Sequence, residues 1–216
     1  MAHSSPASAQ VPAALDTFPA LLFAHANVRG SRPAIREKDL GIWQTLTWSE
    51  VAAHVRHVAN GFASLGIRPG MHVAVIGENR PRLYMAMMAA QSLGAIPVPL
   101  YQDAVAQEMV YVLQDAEISV AVVEDQEQVD KMLEVREQCP ALKHVVFDDP
   151  RGLRHYSDPM LQSYEQLEKL GQEYAAQHPD FLDRAIAAVQ PHDAAAMFYT
   201  SGTTGKPRAW CSRTMR

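Results

Sequence analysis

The stretch that decides the fold is MHVAVIGENRPRLYMAMMAAQSLGAIPVPLY, residues 71–101. Its first part, 71–77, is a short β-branched run of the kind found in buried strands. Met and Ala side chains then recur at helical spacing over about 81–93, and 95–101 is extended again. A strand, a helix and a second strand in succession indicate a parallel sheet with a helix in the connection between its strands.

The same alternation continues on both sides of this stretch. Upstream, Thr47 and Glu50 predict a capping box at the start of an amphipathic helix that ends at Gly66. Before it we expect a helix over 17–27 and a hairpin that turns near residues 39–41. Downstream the predicted elements are a helix at 106–115, a strand at 118–123, a helix at 126–138 and a strand at 144–147. The pattern predicts an α/β fold with a parallel-rich sheet and flanking helices.

Residues 150–192 differ in character, because they are polar and mostly helical in pattern. No strong strand signal returns until AAAMFYT at 194–200. We therefore predict that 150–192 form a surface excursion between two strands of the sheet.

Composition excludes several classes of protein. The chain has 216 residues, 48% of them hydrophobic and 20% charged, which is ordinary for a folded soluble protein. Its net charge is −5 and it has no sustained run of Lys and Arg, so no nucleic-acid partner is expected. The most apolar region, 83–101, is interrupted by Gly and Pro and is too broken to span a bilayer.

The ends and the cysteines indicate the compartment. Residues 1–14 are rich in Ala, Ser and Pro and lack the features of a secretory signal, so we expect a disordered tail. Cys139 and Cys211 lack metal-ligand or redox spacing, which fits a reducing compartment. We predict a cytoplasmic location.

The candidate functional site is the stretch TSGTTGK that follows the predicted strand at 194–200. Glycines allow backbone N–H groups to approach an anion, and hydroxyls and an ammonium group add donors and charge. The candidate site residues are Thr200, Ser201, Gly202, Thr203, Thr204, Gly205 and Lys206. Together they predict a polyphosphate clamp. The spacing of the two glycines excludes a Walker A loop, and the alternative interpretation is a flexible linker.

These residues also carry a resemblance to a known family. TSGTTGKPR resembles the signature loop of the adenylate-forming, or AMP-binding, enzymes. Residues 47–81 and SLGAIPVPLY at 92–101 are similar to the amino-terminal region of long-chain fatty-acid CoA ligases. The resemblance runs from about Thr17 to Arg208 and identifies the chain as the amino-terminal part of the large domain of such an enzyme.

The resemblance implies a two-step reaction. A fatty acid carboxylate attacks the α-phosphate of Mg-ATP, giving acyl-adenylate and pyrophosphate, and the thiol of coenzyme A then displaces AMP. The residues matching the signature loop hold the β- and γ-phosphates of ATP. Coenzyme A would be bound by parts of the family's fold that lie beyond this chain, and no catalytic residue or metal ligand is assigned here. A fatty acyl substrate leaves peripheral contact with the inner face of a membrane open, and the oligomeric state is open as well.

The resemblance stops after Arg208, where the family continues with glycine and an apolar strand but this chain reads AWCSRTMR. One permitted back-translation, with a single G inserted after the Arg208 codon, reads RGVVLTH, which is the continuation expected of the family. We hypothesise that 209–216 are an aberrant, out-of-frame tail after an incomplete domain at 15–208, and that this chain alone is inactive and poorly folded.

Three alternatives stay open at this point. The chain could be a non-catalytic protein that binds a nucleotide or a partner, an adenylating ligase for another carboxylic acid, or a product with a genuinely evolved tail. A non-catalytic binding protein predicts a well-folded monomer with measurable ATP affinity.

Four further groups of side chains are given ordinary structural roles. They are His54 with His57 and Arg80 with Arg82 as surface residues, Asp148 with Asp149 as a solvated loop, and Met85, Met87 and Met88 as core. The alternatives are a metal pair for the histidines, an anion contact for the arginines, acid–base chemistry for the aspartates and the lining of an acyl tunnel for the methionines.

Overall fold

The computed structural model describes residues 15–200 and 208–213, so the predicted tail at 1–14 lies outside the described residues. The helices are α1 Phe18–Arg29, α2 Trp48–Ser64, α3 Pro81–Ser92, α4 Ala106–Asp115, α5 Gln126–Val135, α6 Tyr164–Gln177 and α7 Phe181–Ala188. The strands are β1 Pro33–Asp39, β2 Ile42–Thr47, β3 His72–Ile76, β4 Ile96–Leu100, β5 Val120–Val123, β6 His144–Phe147, β7 Leu161–Ser163, β8 Ala194–Thr200 and β9 Arg208–Arg213.

Five strands form one parallel sheet in the order β4-β3-β5-β6-β7. Side chains of β5 alternate between two cores: Val120 and Val122 lie in the one that holds α2, α3 and α6, and Ala121 and Val123 in the one that holds α4 and α5. Both faces of the sheet are thus covered by helices, as parallel sheets require. The predicted α/β class with a parallel sheet is confirmed.

The elements that precede the main sheet, β1, β2 and the start of α2, follow the sequence prediction closely. β1 and β2 form an antiparallel hairpin that turns at Leu40 and Gly41, both with positive φ. The capping box at the start of α2 is present: the Thr47 N–H donates to Glu50 Oε2 at 2.7 Å, and the Glu50 N–H donates to Thr47 Oγ1 at 3.3 Å. The two bonds satisfy backbone donors that a helix start leaves free.

The prediction of a surface excursion at 150–192 is wrong in two respects. First, β7 lies in this segment and pairs with β6 at the edge of the main sheet. Second, α6 packs tightly against α2: Tyr164 and Leu167 are fully buried, and a Cβ on Gly171 would lie 1.7 Å from the His57 carbonyl oxygen. The buried stripe of α6 is narrow and partly made of glycine, so a polar sequence conceals a core helix.

β8 does not extend the main sheet, which corrects the expectation that 194–200 would be its next strand. It pairs antiparallel with β9 in a separate two-stranded sheet, although it lies beside β4. The Ile96 N–H donates to Met71 O at 2.8 Å, so the backbone N–H and C=O groups of the even-numbered residues of β4 point toward β3. The backbone groups of Pro97 and Pro99 therefore point toward the opposite, free edge of β4. Proline has no N–H, and this edge therefore cannot supply the donors of a regular ladder.

Candidate phosphate-binding loop

β8 leads into the predicted phosphate loop with one face covered. Met197 and Tyr199 pack against the core that holds α4 and α5, whereas Phe198 and Thr200 are exposed. This alternation follows from the two-residue period of a strand. The strand thus carries its last residue, Thr200, out of the core and into solvent.

The ends of the loop are held opposite each other. Thr200, the first of the predicted site residues, is the register partner of Arg208, and Tyr199 is the partner of Ala209. This pairing already brings together the two ends of the segment between Thr200 and Arg208, so the entropy cost of bringing them together is not incurred when an anion binds. The other predicted site residues lie outside the described residues: Ser201, Gly202, Thr203, Thr204, Gly205 and Lys206.

Two contacts fix β8 to the main layer. Near its start, Gln91 Nε2 of α3 donates to the Ala195 carbonyl oxygen at 2.7 Å. Near its end, the Tyr199 hydroxyl donates to Asp115 Oδ2 of α4 at 2.7 Å, and the Tyr199 ring meets the Tyr111 ring edge-on with centroids 6.4 Å apart. Partial burial and the bond to Asp115 both raise the pKa of Tyr199. Sequence reasoning missed this anchor, because its partners are far apart in the chain.

A second cluster lies where β3 and β5 end, at the carboxyl edge of the sheet. Glu124 follows β5 and accepts hydrogen bonds from the Glu78 N–H at 2.6 Å and from Arg80 Nε at 2.8 Å. Gly77 has φ +153°, and a Cβ there would lie 2.6 Å from Glu124 Cβ. Glycine is therefore needed at this turn, because a side chain at position 77 would clash with Glu124.

This edge lines a cleft of 520 Å³ that also holds Arg82. Arg82 Nη1 donates to Asp148 Oδ1 at 3.0 Å and to Glu165 Oε1 at 2.6 Å, and its guanidinium lies over the Tyr164 ring. Both arginines stay about one-third exposed at the start of α3, as predicted, but each also binds a carboxylate of a distant element, which the prediction of surface residues missed.

The acidic pair after β6 also differs from its prediction as a solvated loop. The Asp148 side chain is only 18% exposed, and its burial raises its pKa, an effect that Arg82 partly offsets. Asp149 accepts hydrogen bonds from the backbone and side chain of Arg151, which lower its pKa against a smaller effect of burial. The two neighbours therefore have different environments, since Asp148 is bound by Arg82 of α3 and Asp149 by the nearby Arg151.

The two histidines of α2 do not share a partner. His54 Nδ1 lies 2.5 Å from Glu168 Oε1 of α6, while His57 Nδ1 lies 3.5 Å from Gln172 Nε2. The hydrogen bond to Glu168 raises the pKa of His54, against partial burial, which lowers it. His54 therefore ties α2 to α6. Sequence spacing had pointed to a surface residue, since Glu168 is distant in the chain.

The three methionines predicted to be core residues differ in how deeply they are buried. Met85 is buried in the core beneath α3. Met87 and Met88 are only partly buried and line a shallow groove with Trp48 and Tyr84. Core packing explains Met85 fully and the other two in part.

Residues 15–200 and 208–213 contain no group of three His, Cys, Asp or Glu side chains placed to hold a metal ion. In the same part of the chain, no helix is both long enough and apolar enough to cross a bilayer.

Fold and loop define a class: an α/β protein in which a glycine- and hydroxyl-rich loop follows a strand beside a parallel sheet. A profile of the family described as AMP-binding enzyme matches residues 22–211, and the chain belongs to that family.

Curated relatives refine this class. A long-chain fatty-acid CoA ligase, ACSBG2 of Xenopus laevis, is 30% identical over 185 residues, which is 84% of this chain and 24% of the relative. FadD15 of Mycobacterium tuberculosis, a ligase of the same name, is 30% identical over 168 residues, or 78% of this chain and 26% of the relative. The chain thus spans about a quarter of the length of the curated relatives it matches.

Solved structures agree on the fold. The anthranilate CoA ligase AuaEII, bound to anthranoyl-AMP, superposes with a TM-score of 0.76 at 22% identity, over 92% of this chain and 35% of that one. Acetoacetyl-CoA synthetase of Streptomyces lividans gives a TM-score of 0.73 at 21% identity, over 92% of this chain and 30% of that one. At these identities the superpositions establish the fold of an adenylate-forming enzyme.

Proposed function

We propose that residues 200–206 bind the β- and γ-phosphates of ATP. The observation that carries the proposal is the pairing of Thr200 with Arg208, which closes the base of a loop rich in glycine and hydroxyl groups. Such a loop offers backbone N–H groups, hydroxyls and the Lys206 ammonium to one anion. Charge-assisted hydrogen bonds of this kind are short and strong.

The reaction that this loop would serve is ATP-dependent activation of a long-chain fatty acid, a step of lipid metabolism. A carboxylate oxygen attacks the α-phosphorus, and the bond to the pyrophosphate oxygen breaks. The thiol sulfur of coenzyme A then attacks the acyl carbon, and AMP leaves. The loop's contribution is to hold the leaving pyrophosphate in line and to stabilise its charge.

Magnesium enters this proposal bound to the phosphates of ATP, where it would share the neutralisation of their charge with Lys206. Within this proposal the described residues contribute the support of the loop, and coenzyme A and the acyl chain are assigned to other parts of the family's fold. The identities of about 30% to fatty-acid CoA ligases support the long-chain substrate.

An adenylating ligase for another carboxylic acid is the second candidate. The structural neighbour AuaEII is an anthranilate CoA ligase, which acts on an aryl acid, and its fold covers 92% of this chain. The described residues fit both candidates equally. A non-catalytic nucleotide-binding role is the third candidate and shares the same loop chemistry.

We also propose a cytoplasmic location, because Cys139 and Cys211 are both free.

For the tail, the out-of-frame hypothesis stays a proposal. β9 includes residues 209–213, and the strand would read GVVLT there in the restored frame, which has the higher β-propensity. Resequencing the gene across the codons for residues 205–216 tests it, and a read with no missing base would contradict it.

Calorimetric titration of the 216-residue chain with ATP and with AMP tests the phosphate proposal. We expect ATP to bind at least about tenfold more tightly than AMP, since only ATP carries β- and γ-phosphates, and Lys206→Ala to remove the difference. Lys143→Ala, which changes an exposed lysine away from the loop, is the matched control. Equal affinity for ATP and AMP, or an unchanged Lys206→Ala variant, would contradict the proposal.

A further inference from the structure

We propose that the Tyr199 hydroxyl and the Asp115 carboxylate form a latch that positions the phosphate loop at its first residue. Both are positioning residues in this account, because they act through Thr200 and its successors. The inference rests on the proposed function, and it assigns a role in polyphosphate binding to a residue pair outside the loop itself.

The position of Tyr199 is the first argument. It directly precedes Thr200, and its side chain points to the opposite side of β8 from that of Thr200. Fixing Tyr199 against α4 therefore fixes both the place and the direction in which the chain leaves the core. The hydrogen bond to Asp115 Oδ2 is 2.7 Å long and joins residues 84 positions apart in the chain.

The weak attachment of β8 is the second argument. Because Pro97 and Pro99 occupy the free edge of β4, no regular ladder ties β8 to the main sheet. The bond from Gln91 holds Ala195, at the far end of the strand. The latch is thus the hydrogen bond from the main layer that lies nearest to the loop among the described residues.

The partner of Tyr199 lies on a helix that packs into the core. Asp115 is the last residue of α4, whose Met109, Val112 and Leu113 are buried in the core. Tyr111, on the same helix, holds the Tyr199 ring edge-on. A buried helix can hold the base of a loop in one place, and a loop fixed before binding loses less entropy when the anion arrives.

A purely structural role is the competing explanation, in which the hydroxyl only adds stability to the fold. The chain offers a matched control for it. The Tyr156 hydroxyl also donates to an aspartate, Asp130 Oδ1 at 2.6 Å, and it accepts a bond from Gln126 Nε2 at 2.9 Å, on elements that do not adjoin β8. Removing either hydroxyl should lower the stability of the fold, but only the loss of the Tyr199 hydroxyl should change the affinity of the loop.

The test is calorimetric titration of the 216-residue chain with inorganic pyrophosphate, with the melting temperature of every variant measured in parallel. Tyr199→Phe keeps the ring contact and removes only the hydroxyl. We expect it to weaken pyrophosphate binding about tenfold, which corresponds to about 1.4 kcal/mol. Tyr156→Phe should leave the affinity unchanged.

Changes at Asp115 complete the design, and because Asp115 is exposed they keep the test open if Tyr199→Phe folds poorly. Asp115→Ala should weaken binding as much as Tyr199→Phe, and the double variant should lose no more than either single one, since both changes break the same bond. Asp115→Asn keeps an acceptor and should restore most of the affinity.

The outcomes separate this inference from the proposed function. If the parent chain binds pyrophosphate and Lys206→Ala loses it, but Tyr199→Phe and Asp115→Ala bind like the parent, the latch is overturned and the loop proposal stands. Equal losses in Tyr199→Phe and Tyr156→Phe would also overturn the latch. A parent chain that does not bind pyrophosphate would overturn both.

Discussion

The main sheet and the β8–β9 hairpin are both built from strands, but they differ in how much of each strand is exposed. Every residue of β5 is 0% exposed, because helices cover both faces. On the hairpin, Phe198 is 38% exposed and its register partner Trp210 is 66% exposed. The sheet can therefore supply stability, and the hairpin can present a loop to solvent. Binding residues are commonly found on such partly covered segments held by a rigid scaffold.

The difference between the two regions arises from a few residues. In the sheet, two-sided burial requires unbroken apolar strands such as VAVV at 120–123. At the edge, Pro97 and Pro99 stop the ladder and leave β8 outside it. The hairpin is then attached through hydrogen bonds from α3 and to α4 and through packing of its inner face on the core, in place of a backbone ladder.

Replacing one phenylalanine by alanine in each region should give the largest difference in unfolding free energy between the two regions. Phe62 of α2 is fully buried, and Phe62→Ala should cost about 3–5 kcal/mol of unfolding free energy. Phe198→Ala, on the exposed face of β8, should cost less than about 1 kcal/mol. Urea denaturation measures both. Similar losses at the two positions would show that the hairpin is part of the same cooperative core.

The ion pair between α2 and α6 gives a smaller, pH-dependent effect within the main layer. The folded-state pKa of His54 is raised, so its contribution is complete below the unfolded value of about 6.5 and is lost as the pH rises through the higher folded value. For this partly exposed pair we expect at most about 1 kcal/mol. The stability difference between the parent and His54→Gln should fall between pH 6 and pH 9.

Two further variants check that result by urea denaturation across the same pH range. Glu168→Gln should abolish the pH-dependent difference, whereas His57→Gln, a change on the same helix without a carboxylate partner at hydrogen-bonding distance, should preserve it. A difference that grows as the pH rises would contradict the assignment.

The sequence predicted the regular part of the fold well, because burial on both faces leaves a strong pattern. The strands at 71–77 and 118–123 and the capping box at Thr47 were all read from local signals. α6 was misjudged, since its contact with α2 depends on Gly171, and a missing side chain leaves no hydrophobic signal. β7 has only three residues, too few for any periodicity.

For the candidate site, the sequence offers a hypothesis about chemistry but none about the contacts that support it. The run of glycines, hydroxyls and Lys206 predicts an anion-binding loop from composition and order alone, and this stays a prediction. The contacts that hold its base, Tyr199 to Asp115 and Gln91 to Ala195, join residues that are distant in the chain. Single side chains of that kind have no local pattern, so only the folded arrangement identifies them. The same holds for Arg82, which meets Asp148 and Glu165 across three elements.

Hydrogen exchange of the 216-residue chain, with and without ATP, tests the central claim most directly. We predict that ATP increases the protection of backbone amides at 200–206 by at least about tenfold, since those N–H groups are the proposed phosphate ligands. Amides of β5, which are buried in both states, should not change. Unchanged exchange at 200–206, or protection instead at the cleft lined by Arg80 and Glu124, would contradict the account.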